Sequence, residues 1–340
     1  MHDDNDLLLE SGDSVVVPHL ADSLRAIATE GARIFYEGDL ASRIAEHVRD
    51  AGGSLTRSDL ASYRPLVRDS LCVDINGWRV ASNPPPAVGG AVLAAMLHSF
   101  ACKPVESWDQ ESLTHLLRVQ ESALSYRKEN LDLADDVALA VDELLNLAKS
   151  GQLLSRWSSA STVHTSAVDS NGLACAITAS SGYGSSEMPG PGTGLWLNNC
   201  LGELELNRRG LDAGPPGSRL PSNMAPGVAR NGRSVLAFGS PGADRITTAL
   251  HQFLLNYVQL GLSLADAIAL PRIHLDVSGN LPRLSVEPGV EIADLKIETI
   301  QYETTNMYFG GVAAATRDDD GQLSAAADPR REGGTFITQG

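Results

Sequence analysis

Apolar and polar positions follow two rhythms along the chain, and the change falls near residue 160. Before it, apolar residues recur at helical spacing. That spacing predicts helices over residues 20–31, 39–51, 91–101, 112–133 and 137–154, the first closed by Gly31. Residues 56–62 (TRSDLAS) set Asp59 three places after Thr56, a loose capping box. Residues 71–81 read as a hairpin of two β-rich runs around Asn76-Gly77. In residues 83–90 (NPPPAVGG) three prolines bar regular structure and two glycines allow close backbone approach, so the plain reading is a rigid connector.

Beyond residue 160 the pattern turns strand-rich. Thr162, Val163, Thr165 and Val168 are β-branched, which predicts a strand over 162–168, then a turn at 169–172 (DSNG) and a second strand over 173–180. Further strands are expected at 195–198, 234–240, 307–316 and 322–327, with a helix at 246–260. Residues 182–194 and 203–224 are rich in glycine and proline without a period, and read as loops. No internal repeat is visible.

Composition narrows the function classes. A chain of 340 residues, 43% hydrophobic and 20% charged, has material for one large soluble domain or two ordinary ones. A formal net charge of −16 and no clustered basic face argue against a nucleic-acid partner and against an anionic membrane surface. The four cysteines form no CxxC pair, the eight histidines no HExxH, and no acidic or histidine cluster has metal spacing. No metal and no cofactor are expected. The acidic start MHDDNDLLLESGDS lacks the basic and apolar parts of a secretion signal, so the chain as given reads as cytoplasmic. A natural start further upstream would open the periplasm or secretion instead.

Three places offer chemistry. In residues 158–172 (SSASTVHTSAVDSNG) a small, serine-rich approach runs into Thr162 at the head of a strand. A hydroxyl needs a base to become a nucleophile, and a chain cut just before Thr162 would supply one as the freed α-amine. The plain alternative is a strand-edge threonine. The second place is residues 238–245 (FGSPGADR), a strand, a glycine turn and a helix start. Backbone N–H groups there suit an anion or the oxyanion of an acyl transfer, or belong to an ordinary turn; no GK[ST] follows, which removes the phosphate-loop reading. The third is the pair 197–206 (LNNCLGELEL) and 219–226 (RLPSNMAP), where Glu203 suits an ammonium and Ser222 a carboxylate, unless both are ordinary loop.

Taken in order, the segments GGSLTRSDLASY (52–63), NPPPAVGG (83–90), TVHTSAVDSNG (162–172), PGTGLWLNN (191–199), RLPSNMAP (219–226), GSPGADRI (239–246), LPRIH (270–274), VEPG (286–289) and ADPRR (327–331) resemble the γ-glutamyltranspeptidase family. The resemblance implies an N-terminal-nucleophile hydrolase of α/β (α+β) class, a four-layer αββα sandwich. It implies self-cleavage between Ser161 and Thr162, leaving residues 1–161 as the mainly helical remainder of a large subunit and 162–340 as the strand-rich small subunit, together one structural domain. Thr162 would be the nucleophile, and Ser180 falls where the family has a Thr that hydrogen-bonds it. Glu203 falls on the family's Asp for the donor α-amine, Ser222 and Asn223 on a Ser-Ser pair for its α-carboxylate, and Gly242 and Ala243 on the Gly-Gly of the oxyanion hole. The implied reaction is attack on a γ-glutamyl amide such as glutathione, the acyl-enzyme then passing to water or to an amino-acid amine, with no partner beyond substrate, acceptor and the two subunits.

Several positions depart from the family. Val163 stands for its second Thr, Gly182 for an Asn after the helper hydroxyl, and Cys200 for a substrate-holding Gln. Ala243 keeps its N–H, so an oxyanion hole survives unless that position demands positive φ. The family's large subunit normally begins well before the region matching Leu20, and the portion ahead of that match carries a carboxylate-clamping Arg and some of the central sandwich. Two further readings therefore stay open: an amidase for another acyl group, and a truncated, inactive family member acting as a binding or structural protein.

Overall fold

The computed structural model describes residues 12–101, 103–150, 162–182, 192–202, 210, 214–277, 281–292 and 297–338. They divide into two compact units, Met1–Leu66 with Ser185–Asn198, and Val67–Gly184 with Asn199–Gly340.

The smaller unit carries helices α1 (Leu20–Glu30), α2 (Arg33–Tyr36), α3 (Asp39–Asp50) and α4 (Arg57–Ser62). Leu40, Ala41, Ile44 and Ala45 form the buried stripe of α3. At the start of α4 the capping box forms in full: Thr56 Oγ1 accepts from Asp59 N, and Thr56 N donates to Asp59 Oδ2. Residues 192–194 are tied to this unit, with Ser23 Oγ donating to Thr193 O at 2.6 Å.

The larger unit begins with β1 (Leu71–Ile75) and β2 (Trp78–Ser82), joined at Asn76 and Gly77 with φ of 47° and 79°. Two successive positive φ values make the primed turn that Asn-Gly favours. Helices α5 (Gly89–Ala101), α6 (Gln110–Tyr126) and α7 (Val137–Ser150) follow. Asp109 caps α6, accepting from Ser112 N at 2.8 Å. The helix expected over 112–133 is α6 plus a π-helical turn, Arg127–Leu131.

Next come β3 (Val163–Val168) and β4 (Ala174–Ala179), closed by an Asx turn in which Asp169 Oδ1 accepts from Asn171 N and Leu173 N. Then follow β5 (Gly227–Asn231), β6 (Ser234–Gly239), α8 (Arg245–Leu254), a second π-helical turn Leu255–Gln259, α9 (Leu264–Ala269), β7 (Ile273–Asp276), β8 (Arg283–Val286), β9 (Glu298–Gln301), β10 (Ala313–Arg317) and β11 (Leu323–Ala327). The strand expected over 307–316 is split: Asn306 caps a tight turn at Met307–Phe309, and Gly310 at φ 90° breaks the run before β10. Residues 195–198 make no strand of their own. Residues 151–154, 183–191, 203–209 and 211–213 of the expected helix and loops lie outside the described residues.

Six strands form one antiparallel sheet in the order β1-β2-β5-β6-β10-β11. Successive residues of β6 face opposite ways. Phe238 meets Phe253 of α8 on one face, while Gly239 and Val235 meet the β3–β4 hairpin on the other. Burial on both faces explains why β6 reads as a continuous apolar run, VLAF. The hairpin alternates exposed and half-buried along both strands, so its inner face packs on the sheet and its outer face, with Val163 68% and Ile177 60% exposed, meets solvent.

Helices α5 to α8 bury Val92, Leu93, Met96, Leu97, Leu116, Leu124 and Leu250 into a single core. The described layers of this unit are thus helices, sheet and hairpin. Both sides of the expected cut supply them, since α5 to α7 precede residue 162 and the central strands β5, β6 and β10 follow it. A separate sheet of β7, β8 and β9 carries a buried ion network in which Arg330 pairs with Glu287 and Asp328, and Arg272 with Asp328. No helix among the described residues is long and apolar enough to cross a membrane.

Candidate active site

Thr162 stands immediately before β3 and is half-buried. The hairpin register pairs Val163 with Ala179, so one step outward Thr162 lies opposite Ser180. Ser180 Oγ accepts from Gly182 N at 3.1 Å, and Asn199 N donates to Ser181 O at 2.7 Å, fixing the strand end. Gly182 sits at φ 78°, and a Cβ there would lie 2.7 Å from the Asn199 carbonyl carbon. That position therefore takes glycine for a backbone reason. Cys200 Sγ donates to Ser180 O at 3.8 Å, beside the same strand end. Ser161 and Glu203 lie outside the described residues.

His164 locks the head of β3 over the sheet. Its Nδ1 is 2.7 Å from Thr178 Oγ1 and its Nε2 2.7 Å from Ser166 Oγ, which donates onward to Ala313 O. The ring packs against Gly239, where a Cβ would come within 2.2 Å of it. Burial pushes the His164 ring down to about 4, so it is neutral at pH 7 with one nitrogen donating and the other accepting. Neither His164 nor Gly239 was singled out from sequence. The available signal was a histidine at an inward position of a strand, paired with a glycine ending a central strand.

Gly239 is also where β6 runs into the Ser240–Ala243 turn, so this packing sets Thr162 and the turn at the same end of the sheet. Ser240 Oγ donates to Pro241 O and accepts from Gly311 N, stitching the turn to the loop before β10. Gly242 adopts φ 125° and Ala243 φ 64°. Position 243 thus does require the left-handed region, and alanine occupies it. An L-residue there costs about 1–2 kcal/mol. Arg245 N and Ile246 N bond back to Gly242 O and Ala243 O, opening α8. Among the described residues neither the Gly242 nor the Ala243 N–H has a hydrogen-bond partner. These two adjacent N–H groups stand just before Asp244, the N-cap of the ten-residue helix α8.

The 222–226 loop is held against the same region. Ser222 O accepts from Val88 N and Gly89 N, and Asn83 Nδ2 donates to Met224 O. A Cβ on Gly89 would sit 2.0 Å from Asn223 O. The NPPPAVGG connector is therefore a seat for this loop, and Gly89 is needed for the approach, while Gly90 packs on Asn83 of the connector itself. Ser222 is half-buried, and its Oγ accepts from Met224 N at 3.2 Å. Asn223 is only 3% exposed and gives an amide N–H to Asp244 Oδ1 at 2.5 Å. It was expected to face a substrate carboxylate; the structure turns its amide inward onto the turn.

Asp244 in turn accepts from Arg127 Nη1 at 2.9 Å, and Arg127 Nε donates to Asp132 at 2.9 Å. This buried charge cluster was also missed, because Arg127 and Asp244 stand 117 residues apart. Among the described residues no group of His, Cys, Asp or Glu is arranged to hold a metal.

A family profile described as gamma-glutamyltranspeptidase matches residues 1–338. The chain is 30% identical over 360 residues to the glutathione hydrolase proenzyme of Escherichia coli (strain K12), covering 95% of this chain and 61% of that protein. It is 27% identical over 339 residues to the capsule biosynthesis protein CapD proenzyme of Bacillus anthracis, covering 96% and 62%. Among solved structures, a cephalosporin acylase from Bacillus halodurans superposes with a TM-score of 0.78 at 24% identity, covering 95% of this chain and 62% of that one. That likeness shows the fold. The chain spans about three fifths of the length of the relatives it matches.

Proposed function

The chain belongs to the γ-glutamyltranspeptidase family, with the α+β sandwich of the N-terminal-nucleophile hydrolases, and on that premise we propose a self-processing γ-glutamyl hydrolase and transferase. One observation carries the reading: the hairpin register and the His164–Gly239 contact put Thr162 at the sheet end that holds the unengaged Gly242 and Ala243 N–H groups. Cleavage between Ser161 and Thr162 frees the threonine α-amine, which serves as the base. Thr162 Oγ1 attacks the γ-glutamyl carbonyl carbon, and its proton passes through the α-amine to the leaving nitrogen as the C–N bond breaks. Developing charge on the carbonyl oxygen is met by the N–H groups of Gly242 and Ala243. Ser180, opposite Thr162, orients the hydroxyl. Glu203 receives the donor ammonium, and Ser222, with the backbone of its loop, the carboxylate. Water or an amino-acid amine then takes the acyl group from the ester. The two pieces stay together because both contribute to one core.

A denaturing gel of the purified protein tests this. Two bands are expected, with release of aniline from a γ-glutamyl anilide. Thr162→Ala is expected to run as one band and to lose all turnover. A single uncut band for both proteins, with no covalent adduct from an electrophilic glutamine analogue, would sink the proposal in favour of an inactive binding or structural role.

A second reading, an amidase for a different acyl group, is favoured by Gly182, whose φ and close neighbour exclude any side chain from that part of the site. A panel of γ-glutamyl and glutaryl anilides separates the two, since turnover of glutaryl amides alone selects the amidase.

A further inference from the structure

Among the described residues, three buried polar atoms behind the Gly242–Ala243 turn have no hydrogen-bond partner: Asp244 Oδ2, Asn223 Oδ1 and Arg127 Nη2. Two of them belong to one bonded pair, because the contact between Asn223 and Asp244 is the single bond from Nδ2 to Oδ1. With Asp244 ionised, both orphaned oxygens are acceptors, and neither can serve the other. Asp244 is 1% exposed and Asn223 3%, so solvent does not relieve them. One proton would satisfy both atoms at once.

We propose that Asp244 Oδ2 takes up a proton and donates it to Asn223 Oδ1, closing a two-bond acid–amide ring that clasps the oxyanion turn to the Ser222–Asn223 loop. With the proton gone, the pair keeps one hydrogen bond and Asp244 leans on Arg127 Nη1 at 2.9 Å. The clasp thus has two states, one neutral and doubly bonded, one ionised and singly bonded.

The surrounding charges favour exchange between the two. Asp244 faces Arg127 and Asp132 from the end of α6 and Arg245 on its own helix. Arg127 is itself bound to Asp132 through Nε at 2.9 Å. One guanidinium therefore bonds two buried carboxylates, and Arg245 is a further cation facing Asp244. Burial is the largest influence on Asp244, with Asp132 adding to it and Arg127 opposing, and its carboxyl is pushed up to about 6. The proton therefore comes and goes close to neutrality.

Asp244 touches no reacting atom. It acts through the two residues before it in the chain and through Asn223, as a positioning residue. Its effect on catalysis rests on the function proposed above, whereas its protonation does not.

Infrared difference spectra of the purified full chain, with the aspartates isotope-labelled, test the clasp between about pH 8 and about pH 5. The expected result is a protonated-carboxyl C=O band that grows through a midpoint near 6 and vanishes in Asp244→Asn. Absence of that band, or its persistence in Asp244→Asn, overturns the proposal, whether or not the protein turns over any amide. Asn223→Leu, which removes the ring partner, is expected to move the midpoint; an unmoved midpoint assigns the proton to some other contact and also overturns it.

In a protein active on γ-glutamyl anilide, kcat/KM of the wild type is expected to step near pH 6, and Asp244→Asn to abolish that step. Thr162's α-amine titrates higher, at about 7.7–8.0 in model compounds, and its step is expected to remain. A step near 6 that survives in Asp244→Asn refutes the coupling to catalysis.

Discussion

Ala243 holds a φ of 64° while 1% exposed, inside the turn that presents two N–H groups. Glycine would adopt that conformation without strain, at some cost in the freedom of the unfolded chain. Ala243→Gly is therefore expected to raise stability by about 0.5–1 kcal/mol, read as a higher urea midpoint with unchanged slope. Gly242→Ala has the opposite sign, because a Cβ at φ 125° would lie 2.7 Å from Gly310 Cα. A loss of about 2 kcal/mol or more is expected there. At this scale the glycine-rich turn was legible, since its composition signals backbone approach. Its need for a left-handed residue at 243 was not, because alanine hides the conformation it is made to adopt. Asn223 shows the same limit: its amide suits a carboxylate ligand as well as an internal Asp, and only its neighbours decide.

Among the elements, the β3–β4 hairpin decides where Thr162 stands. His164 carries it: its ring bridges Thr178 and Ser166 and rests on Gly239. Gly239→Ala would drive a methyl into that ring and lift the head of β3 off the sheet. Self-cleavage is expected to slow by about 10²-fold, the usual consequence of an ångström of misplacement, followed as uncut chain on a denaturing gel over time. Far-ultraviolet circular dichroism is expected to stay unchanged, since the ladders themselves remain. Both hairpins and the caps at Thr56 and Gly31 were legible because their signals are local: Asn-Gly, Asp-Ser-Asn-Gly, and a Thr with an Asp three residues on. Strands β5, β7, β8 and β9 and helix α9 were not. The four residues of β7 are all buried and those of β9 all exposed, so neither alternates. The π-helical turns that end α6 and α8 also keep helical spacing, which is why sequence reads each as one longer helix.

For the whole molecule, the buried His251 and His274 and the half-buried His164 set the response to acid. His251 and His274 are pushed by burial from 6.5 to about 3, and His164 to about 4. Unfolded, these rings take protons below 6.5, while the folded protein leaves them neutral. Their contribution to stability is thus present above 6.5 and is lost as pH falls toward 3–4. Asp244 runs the other way between about 6 and 3.8, because its folded carboxyl takes the proton first. Three groups outweigh one, so the urea midpoint is expected to fall steadily as pH drops from about 6.5 to about 4. His251 lies with its ring centre 5.0 Å from that of Phe100. His251→Phe keeps an aromatic ring there, and is expected to flatten this fall without lowering the midpoint at pH 7; an unchanged profile would refute the assignment.

The sequence by itself determined the two rhythms, the turn chemistry, and the ordered motifs that identify the family and point to Thr162, because these depend on residues close together in the chain or on their order. Tertiary structure alone decided that Thr162 faces Ser180 across a register, that Ala243 bends left-handed, and that Asn223 turns onto Asp244 beside Arg127. Those facts depend on atoms that the fold brings together, Asn223 and Asp244 across 21 residues and Arg127 and Asp244 across 117, under burial that selects one partner among several chemically equal ones.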